Sequence, residues 1–161
     1  MALAQPHHWR AAAPWLVAAA LLGACERAGP PTPFVEYIPM EGGARLPFSA
    51  AVRVGRLLIL SGQLGNDSTG RLVAGGIAAE TRQALDNIRR VLERNGSSLD
   101  QVVKCTAMLA DIQDWGAMNQ VYVTYFPRQL PARSAFGASG LALGARIELE
   151  CWATASDGPA R

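Results

Sequence analysis

The chain has 161 residues, 50% of them hydrophobic, and a formal net charge of +2, which is enough sequence for one domain with a sizeable core. Its basic residues are scattered from Arg10 to Arg161, and no basic run is longer than the pair Arg89-Arg90. Because nucleic-acid-binding proteins usually concentrate such charge in a patch, the composition argues against nucleic acid as a partner.

The three cysteines, Cys25, Cys105 and Cys151, do not have the CxxC-type spacing of a metal site, so we expect no bound metal. Cys105 and Cys151 both fall in strand-like segments. Two outcomes stay open for them. They are either buried and inert thiols, which is the commoner outcome, or a disulfide formed in an oxidising compartment.

The N-terminal 24 residues have the pattern of an export signal. An apolar run from Ala11 to Ala24 is too short to span a bilayer. It ends in Leu22-Gly23-Ala24-Cys25, which resembles the lipobox of bacterial lipoproteins. We therefore predict a signal peptide over residues 1–24, with Cys25 lipidated and the mature protein anchored to a membrane in the periplasm. The alternatives are a soluble periplasmic or secreted protein and a cytosolic protein.

Residues 25–35 contain three prolines and a glycine and are predicted to form a tether, and residues 36–156 form a single domain. The domain begins with a predicted hairpin around Gly55-Arg56. A helix follows over Ile77 to Asn95, with apolar residues at helical spacing and Gly96 at its end. The remaining predicted elements are a strand over Gln101 to Ala110, a helix from Asp111 or Asp114 to about Phe126, and two strands within Pro131 to Ala153.

The last two strands carry the charges most suggestive of chemistry. Arg133 stands at the head of the first strand, and Glu148 and Glu150 alternate with apolar residues in the second. If the two strands are neighbours, the arginine and a carboxylate line one cleft, where the arginine holds an anion and the carboxylate moves protons. The alternative is that the carboxylates are the solvated face of a half-buried strand. Spacing alone does not choose between Glu148 and Glu150.

The predicted order β-β-α-β-α-β-β, with one apolar stripe on each helix, favours an α+β fold with both helices on one face of a mixed sheet. The chain has no further element to cover the other face. We therefore expect oligomerisation to cover it.

Several motifs in this order resemble the RidA family, also called the YjgF/YER057c/UK114 family, from about Leu46 to Trp152. They are LPFSAAV, ILSGQLG, TRQALDNIRRVLERNGSSLDQVVK, DWGAMNQVYVTYF, PARSAF and IELECWA. The resemblance implies a chorismate-mutase-like α+β fold that assembles as a homotrimer with clefts between subunits. It also implies an enzyme that hydrolyses reactive enamines and imines, such as 2-aminoacrylate, to 2-oxo acids and ammonia without a cofactor.

The resemblance assigns roles to individual residues. Arg133 is placed at the carboxylate of the substrate, and Glu148, the first acid of IELE, at the attacking water. Bidentate binding of a carboxylate suits arginine, and one carboxyl group can both activate water and protonate nitrogen. The resemblance adds five residues around the substrate: Ser61, Gly62, Phe48, Asn119 and Ala135.

The chain departs from the family pattern at two of these positions. Leu46-Pro47-Phe48 replaces the common Gly-Pro-Tyr, so a tyrosine hydroxyl is missing, and Ala135 stands where many members have cysteine. These departures support an alternative, a non-catalytic module that binds small carboxylates or a protein at the cell envelope. Ribonuclease activity, also attributed to the family, has little support because the domain lacks a histidine pair and a basic patch.

Overall fold

A computed structural model describes residues 33–43 and 46–155. The predicted signal peptide, Cys25 and most of the tether lie outside the described residues. The strands are β1 (Val35–Ile38), β2 (Ala51–Val54), β3 (Leu57–Leu60), β4 (Gln63–Leu64), β5 (Val102–Leu109), β6 (Ala132–Gly137) and β7 (Ile147–Thr154). The two α-helices are α1 (Gly76–Arg94) and α2 (Trp115–Tyr122).

The predicted hairpin, both helices and the three later strands are confirmed, and β1 and β4 are additional. Helix α1 ends as the sequence predicts, because Gly96 has a φ of 70°. This left-handed conformation lets the backbone N–H of Ser97 donate to the carbonyl of Leu92 at 2.9 Å.

All strands belong to one sheet in the order β1-β2-β3-β7-β5-β6, with β4 also paired to β7. Among the described strands, β5 and β6 form a parallel pair and the other pairs are antiparallel. The last strand of the chain, β7, therefore lies at the centre of the sheet, and β6 lies at an edge.

Both helices pack on one face of this sheet, as the amphipathic patterns predict. Leu85, Ile88 and Leu92 of α1 and Met118 of α2 are fully buried against it. Sheet residues that point to the same side, such as Leu149, belong to the same core. Each such side chain contributes about 1.5–3 kcal/mol through burial.

The opposite face of the sheet has an apolar area on its N-terminal strands, and no element among the described residues covers it. Tyr37, Val52, Ile59 and Trp152 follow one another across β1, β2, β3 and β7 in register on this side. Tyr37 is 71% exposed. An uncovered apolar area of this kind is typical of a subunit interface. That further subunits cover it stays a prediction.

Cys105 of β5 and Cys151 of β7 form a disulfide between two central strands. The two residues are direct neighbours in the antiparallel register and both are fully buried. Of the two outcomes that the sequence leaves open, the structure shows the disulfide.

Within residues 33–43 and 46–155, no helix has the length and apolar character that a membrane crossing requires.

Candidate active site

Arg133 lies on the edge strand β6, and its side chain turns to the helix-covered face of the sheet. It pairs in register with Cys105, whose side chain is in the core. One guanidinium N–H donates to the Met118 sulfur at 3.6 Å, and the guanidinium carbon lies 4.5 Å from the centre of the Tyr122 ring. Within the described part of the chain, no carboxylate lies within ion-pair distance of Arg133. This half-buried cation therefore has donors available for an anionic ligand.

Glu148 lies on the central strand β7, and its side chain points to the face of the sheet that no helix covers. Its direct neighbours in register are Leu64 and Met108. A Cβ at Gly62 would lie 1.8 Å from a carboxylate oxygen of Glu148, so glycine is required for this close approach. The carboxylate has no hydrogen-bond partner or ion pair among the described residues. It is therefore placed to accept a proton.

Glu150 shares the face of Glu148 but is in a different situation. Its carboxylate accepts a hydrogen bond of 2.7 Å from the indole N–H of Trp152. The sequence spacing could not distinguish the two acids, but their surroundings do. Glu150 is engaged locally, whereas Glu148 is not.

The other predicted substrate-binding residues are spread over several elements. The Ser61 hydroxyl donates to the Ser49 carbonyl at 2.7 Å and so ties the end of β3 to the segment before β2. Phe48, in that segment, is exposed, and Ala135 is on the same face of β6 as Arg133. The side-chain oxygen of Asn119 on α2 is buried without a partner among the described residues.

One expectation about the site is wrong for a single subunit. Arg133 and Glu148 are not on neighbouring strands, because β5 lies between β6 and β7. Glu148 is in register with Met108, and Met108 with Phe136, which is three residues beyond Arg133. Two strand spacings and three residues separate the Cα atoms by roughly 14 Å. The side chains also point to opposite faces, so one subunit does not bring them into one cleft.

Three residues that contact Arg133 were not among the site residues predicted from the sequence. Trp115, Met118 and Tyr122 occupy one side of α2, and the Trp115 ring centre is 6.0 Å from the guanidinium carbon. The signal was available in principle. A helix that connects two parallel strands crosses over them, so residues of α2 are expected to lie over β6.

The Tyr122 ring is almost fully buried, and burial raises the pKa of its hydroxyl to about 12, although the charge of Arg133 acts in the opposite direction. The hydroxyl therefore stays protonated at neutral pH. Arg133 faces a neutral ring and not a phenolate.

A separate cavity of about 410 Å³ opens between α1 and the segment that follows β1. Its lining includes Ile38, Asn87 and Arg90 but neither Arg133 nor Glu148. A second cavity, of about 430 Å³ and lined by residues that include Asp100 and Tyr125, is of similar size, and the unpaired ionisable groups described above lie in neither cavity. We therefore assign the candidate site to Arg133 and Glu148 on chemical grounds.

The sequence profile of the endoribonuclease L-PSP family matches residues 41–155, and the chain belongs to this family, which is also the RidA/YjgF family. A mouse relative named 2-iminobutanoate/2-iminopropanoate deaminase is 46% identical over 114 residues, which are 70% of this chain and 83% of the relative. The crystal structure of the yeast protein YEO7 is 38% identical with a TM-score of 0.72, and the alignment covers 76% of this chain and 100% of that one.

The YjgF gene product of E. coli has a similar fold. Its crystal structure is 32% identical with a TM-score of 0.68, covering 74% of this chain and 98% of that one. The α+β fold predicted from the sequence, with two helices on one face of a mixed sheet, is thus confirmed.

Proposed function

We propose that this protein is a hydrolytic deaminase that converts reactive enamines and imines of the 2-aminoacrylate type to 2-oxo acids and ammonia. The observation that carries the proposal is the half-buried Arg133 guanidinium, which has no acidic partner among the described residues. A substrate carboxylate supplies the missing anion. The names of the relatives, 2-iminobutanoate/2-iminopropanoate deaminase and Reactive Intermediate Deaminase A, support the same reaction class.

In this proposal Arg133 binds the substrate carboxylate through a pair of parallel hydrogen bonds. Glu148 takes a proton from water as the water oxygen bonds to the imine carbon, and the C=N double bond becomes a single bond. The carboxyl group then gives the proton to nitrogen. The same carboxyl group next takes the proton of the new hydroxyl and gives a proton to the nitrogen as the C–N bond breaks, so ammonia leaves and the carbonyl of the 2-oxo acid remains. All atoms of the products come from the imine and one water, so the reaction takes no cofactor.

Because Arg133 and Glu148 of the same subunit lie far apart, the proposal requires a second subunit to complete each site. Arg133 lies on the edge strand, where a neighbouring chain has access, and Glu148 lies on the uncovered face of the sheet. A ring of three subunits in a head-to-tail arrangement brings the Arg133 of one chain to the Glu148 of the next. We therefore propose a homotrimer with three sites between subunits.

The activity is tested by generating 2-aminoacrylate from serine with a dehydratase and following the appearance of the 2-oxo acid. We expect the wild type to accelerate hydrolysis over buffer, and Arg133→Ala and Glu148→Gln to abolish the acceleration. Glu150→Gln is the matched control, because it removes the same charge from the same face and leaves Glu148 in place. A wild type that does not exceed the buffer rate, or an Arg133→Ala variant as fast as wild type, contradicts the proposal.

The shared site is tested by mixing subunits. Arg133→Ala and Glu148→Gln are each expected to be inactive, but an equal mixture that is unfolded and refolded together forms some sites with both native residues. Random assembly of a head-to-tail ring gives native pairs at roughly one site in four. Recovery of about that share of activity supports a site between subunits. No recovery, with both variants folded and mixed, contradicts it.

A second candidate function is a carboxylate-binding or interaction module without turnover. It is favoured by the separation of Arg133 from Glu148 within one subunit, and by Phe48, which has no hydroxyl for the cleft. This function predicts that a 2-oxo acid raises the melting temperature while 2-aminoacrylate is hydrolysed no faster than in buffer.

For the location, we propose export across the inner membrane, removal of residues 1–24 and lipidation of Cys25. The Cys105–Cys151 disulfide supports this proposal, because disulfides persist in oxidising compartments such as the periplasm. Membrane fractionation and the mass of the mature N-terminal peptide test it. A Cys25→Ala variant should lose membrane association, and a mature protein that still begins at Met1 would contradict the assignment.

A further inference from the structure

The Arg133 guanidinium is held by one side of a helix. Trp115, Met118 and Tyr122 of α2, here called the α2 cluster, are spaced three and four residues apart and so lie on the same side. Their contacts to Arg133 are a thioether sulfur at 3.6 Å and two aromatic ring centres at 4.5 and 6.0 Å. Met118 is fully buried and Tyr122 is 2% exposed. The packed interior therefore fixes most of this surface.

Other arginines of the domain are held in a different way. The Arg53 Nε donates to the Glu36 carboxylate at 3.2 Å, and the Nε and one terminal nitrogen of Arg146 both donate to one oxygen of Asp114 at 2.9 and 2.7 Å. In each case a carboxylate neutralises the charge and occupies N–H donors. Such an arginine has less charge and fewer donors to offer a ligand.

From this contrast we propose that the α2 cluster positions Arg133 for substrate and that Tyr122 is the principal positioning residue. A ring face attracts a cation through its quadrupole and takes no N–H donor from it. The cluster thereby fixes the plane of the guanidinium. Among the described contacts of Arg133, only the hydrogen bond to the Met118 sulfur uses a guanidinium N–H. The remaining donors stay available for an incoming carboxylate. This inference rests on the proposed function of Arg133.

The inference gives the aromatic residues of α2 a role in substrate affinity that is separate from their role in packing. Without the Tyr122 ring the guanidinium keeps its charge but loses its fixed orientation, so a substrate has to order it on binding. The cost falls on binding and on KM, because the group that moves protons is on another element. We expect a rise in KM of roughly ten-fold for Tyr122→Leu, within the range of desolvated cation–π contacts.

Tyr125 provides a matched control. It is also a tyrosine, three residues beyond the end of α2, and is also packed against the core, but its ring lies 5.9 Å from Arg89 on the protein surface. Tyr125→Leu therefore removes the same atoms without touching Arg133. Tyr122→Phe keeps the ring and removes only the hydroxyl, so its KM should equal that of the wild type.

The experiment measures kcat and KM for 2-aminoacrylate hydrolysis, and the Kd of 2-oxobutanoate by calorimetry, in wild type and the three tyrosine variants. We expect Tyr122→Leu to raise KM and Kd together, while kcat changes less. Tyr122→Phe and Tyr125→Leu should stay within about two-fold of wild type, since neither removes the ring from Arg133. A wild type without turnover or binding overturns the proposed function. A wild type with both, and a Tyr122→Leu variant that binds as Tyr125→Leu does, overturns the positioning role alone.

Tyr122 is buried, so its leucine variant risks failing to fold. In that case the double variant Met118→Leu/Trp115→Leu replaces it, because the first change conserves volume and the second is at a half-exposed residue. This variant loses the sulfur and one ring from the α2 cluster. A rise in KM and Kd of a few-fold supports the inference. Unchanged values in a folded double variant overturn a positioning role for Met118 and Trp115, and so for the cluster as a unit.

Discussion

Removal of the Cys105–Cys151 disulfide should lower the free energy of unfolding by about 4 kcal/mol. The bond joins residues that are 46 positions apart. Cross-linking a loop of that length restricts the unfolded chain, and the chain-entropy relation gives roughly 4 kcal/mol at 25 °C. This is a large part of the 5–15 kcal/mol or so by which domains are usually stable.

The assay is urea unfolding at one fixed protomer concentration, because a subunit assembly makes stability depend on concentration. Three samples are compared: oxidised wild type, wild type unfolded and refolded in reductant, and the double variant Cys105→Ala/Cys151→Ala. The double variant should be the least stable, because the alanines also leave a small cavity in the core.

The same bond should resist reductant in the native state, since both cysteines are fully buried. Dithiothreitol should reduce it in urea and leave it intact without urea. The reasoning would be refuted if reduced wild type lost less than about 1 kcal/mol, because loop closure would then contribute little.

Three further predictions concern single residues. Gly62→Ala should lower kcat/KM by roughly a hundred-fold and change the melting temperature little, because the new Cβ displaces the flexible end of Glu148 and leaves the backbone in place. Unchanged kinetics would contradict the close contact between Gly62 and Glu148. Leu143→Gly should raise the free energy of unfolding in urea by up to about 1 kcal/mol, since Leu143 is 70% exposed and has a φ of 60°; a loss of stability would contradict it. Burial raises the pKa of Tyr122 and Tyr125 to about 12, so the stability that their protonated hydroxyls contribute is present below pH 10 and lost between pH 10 and 12; tyrosinate absorbance appearing near pH 10 in a folded Tyr37→Phe variant, which retains only these two tyrosines, would contradict this.

Local elements of the fold were predictable because their signals lie in short segments. The apolar stripe of α1 and the glycine after it placed the helix at Ile77 to Asn95, and the structure has it at Gly76–Arg94. The strand β4, with two residues, is too short to show a periodic pattern. The strand β1 is short and follows a proline-rich segment, which conceals its alternation.

The candidate site was predictable in its residues and not in its arrangement. Strand alternation correctly places Glu148 and Glu150 on one face. That β6 and β7 are adjacent strands was inferred only from their closeness in the chain. The structure places β5 between them. Strand order depends on which partners bury the most apolar surface, and no single segment encodes this. The contacts of Arg133 with α2 are likewise long-range, and no single segment encodes them.

The central position of β7 has a consequence for when the chain can fold. This strand pairs with β3, β4 and β5, and it extends to Thr154, at the end of the described residues. Until it has emerged, the N-terminal strands β1 to β3 and the pair β5–β6 have no partner to join them into one sheet. Folding is therefore expected to follow synthesis and not to accompany it. A chain with this topology closes its sheet and its disulfide together when β7 joins β5, which is compatible with the export proposed above.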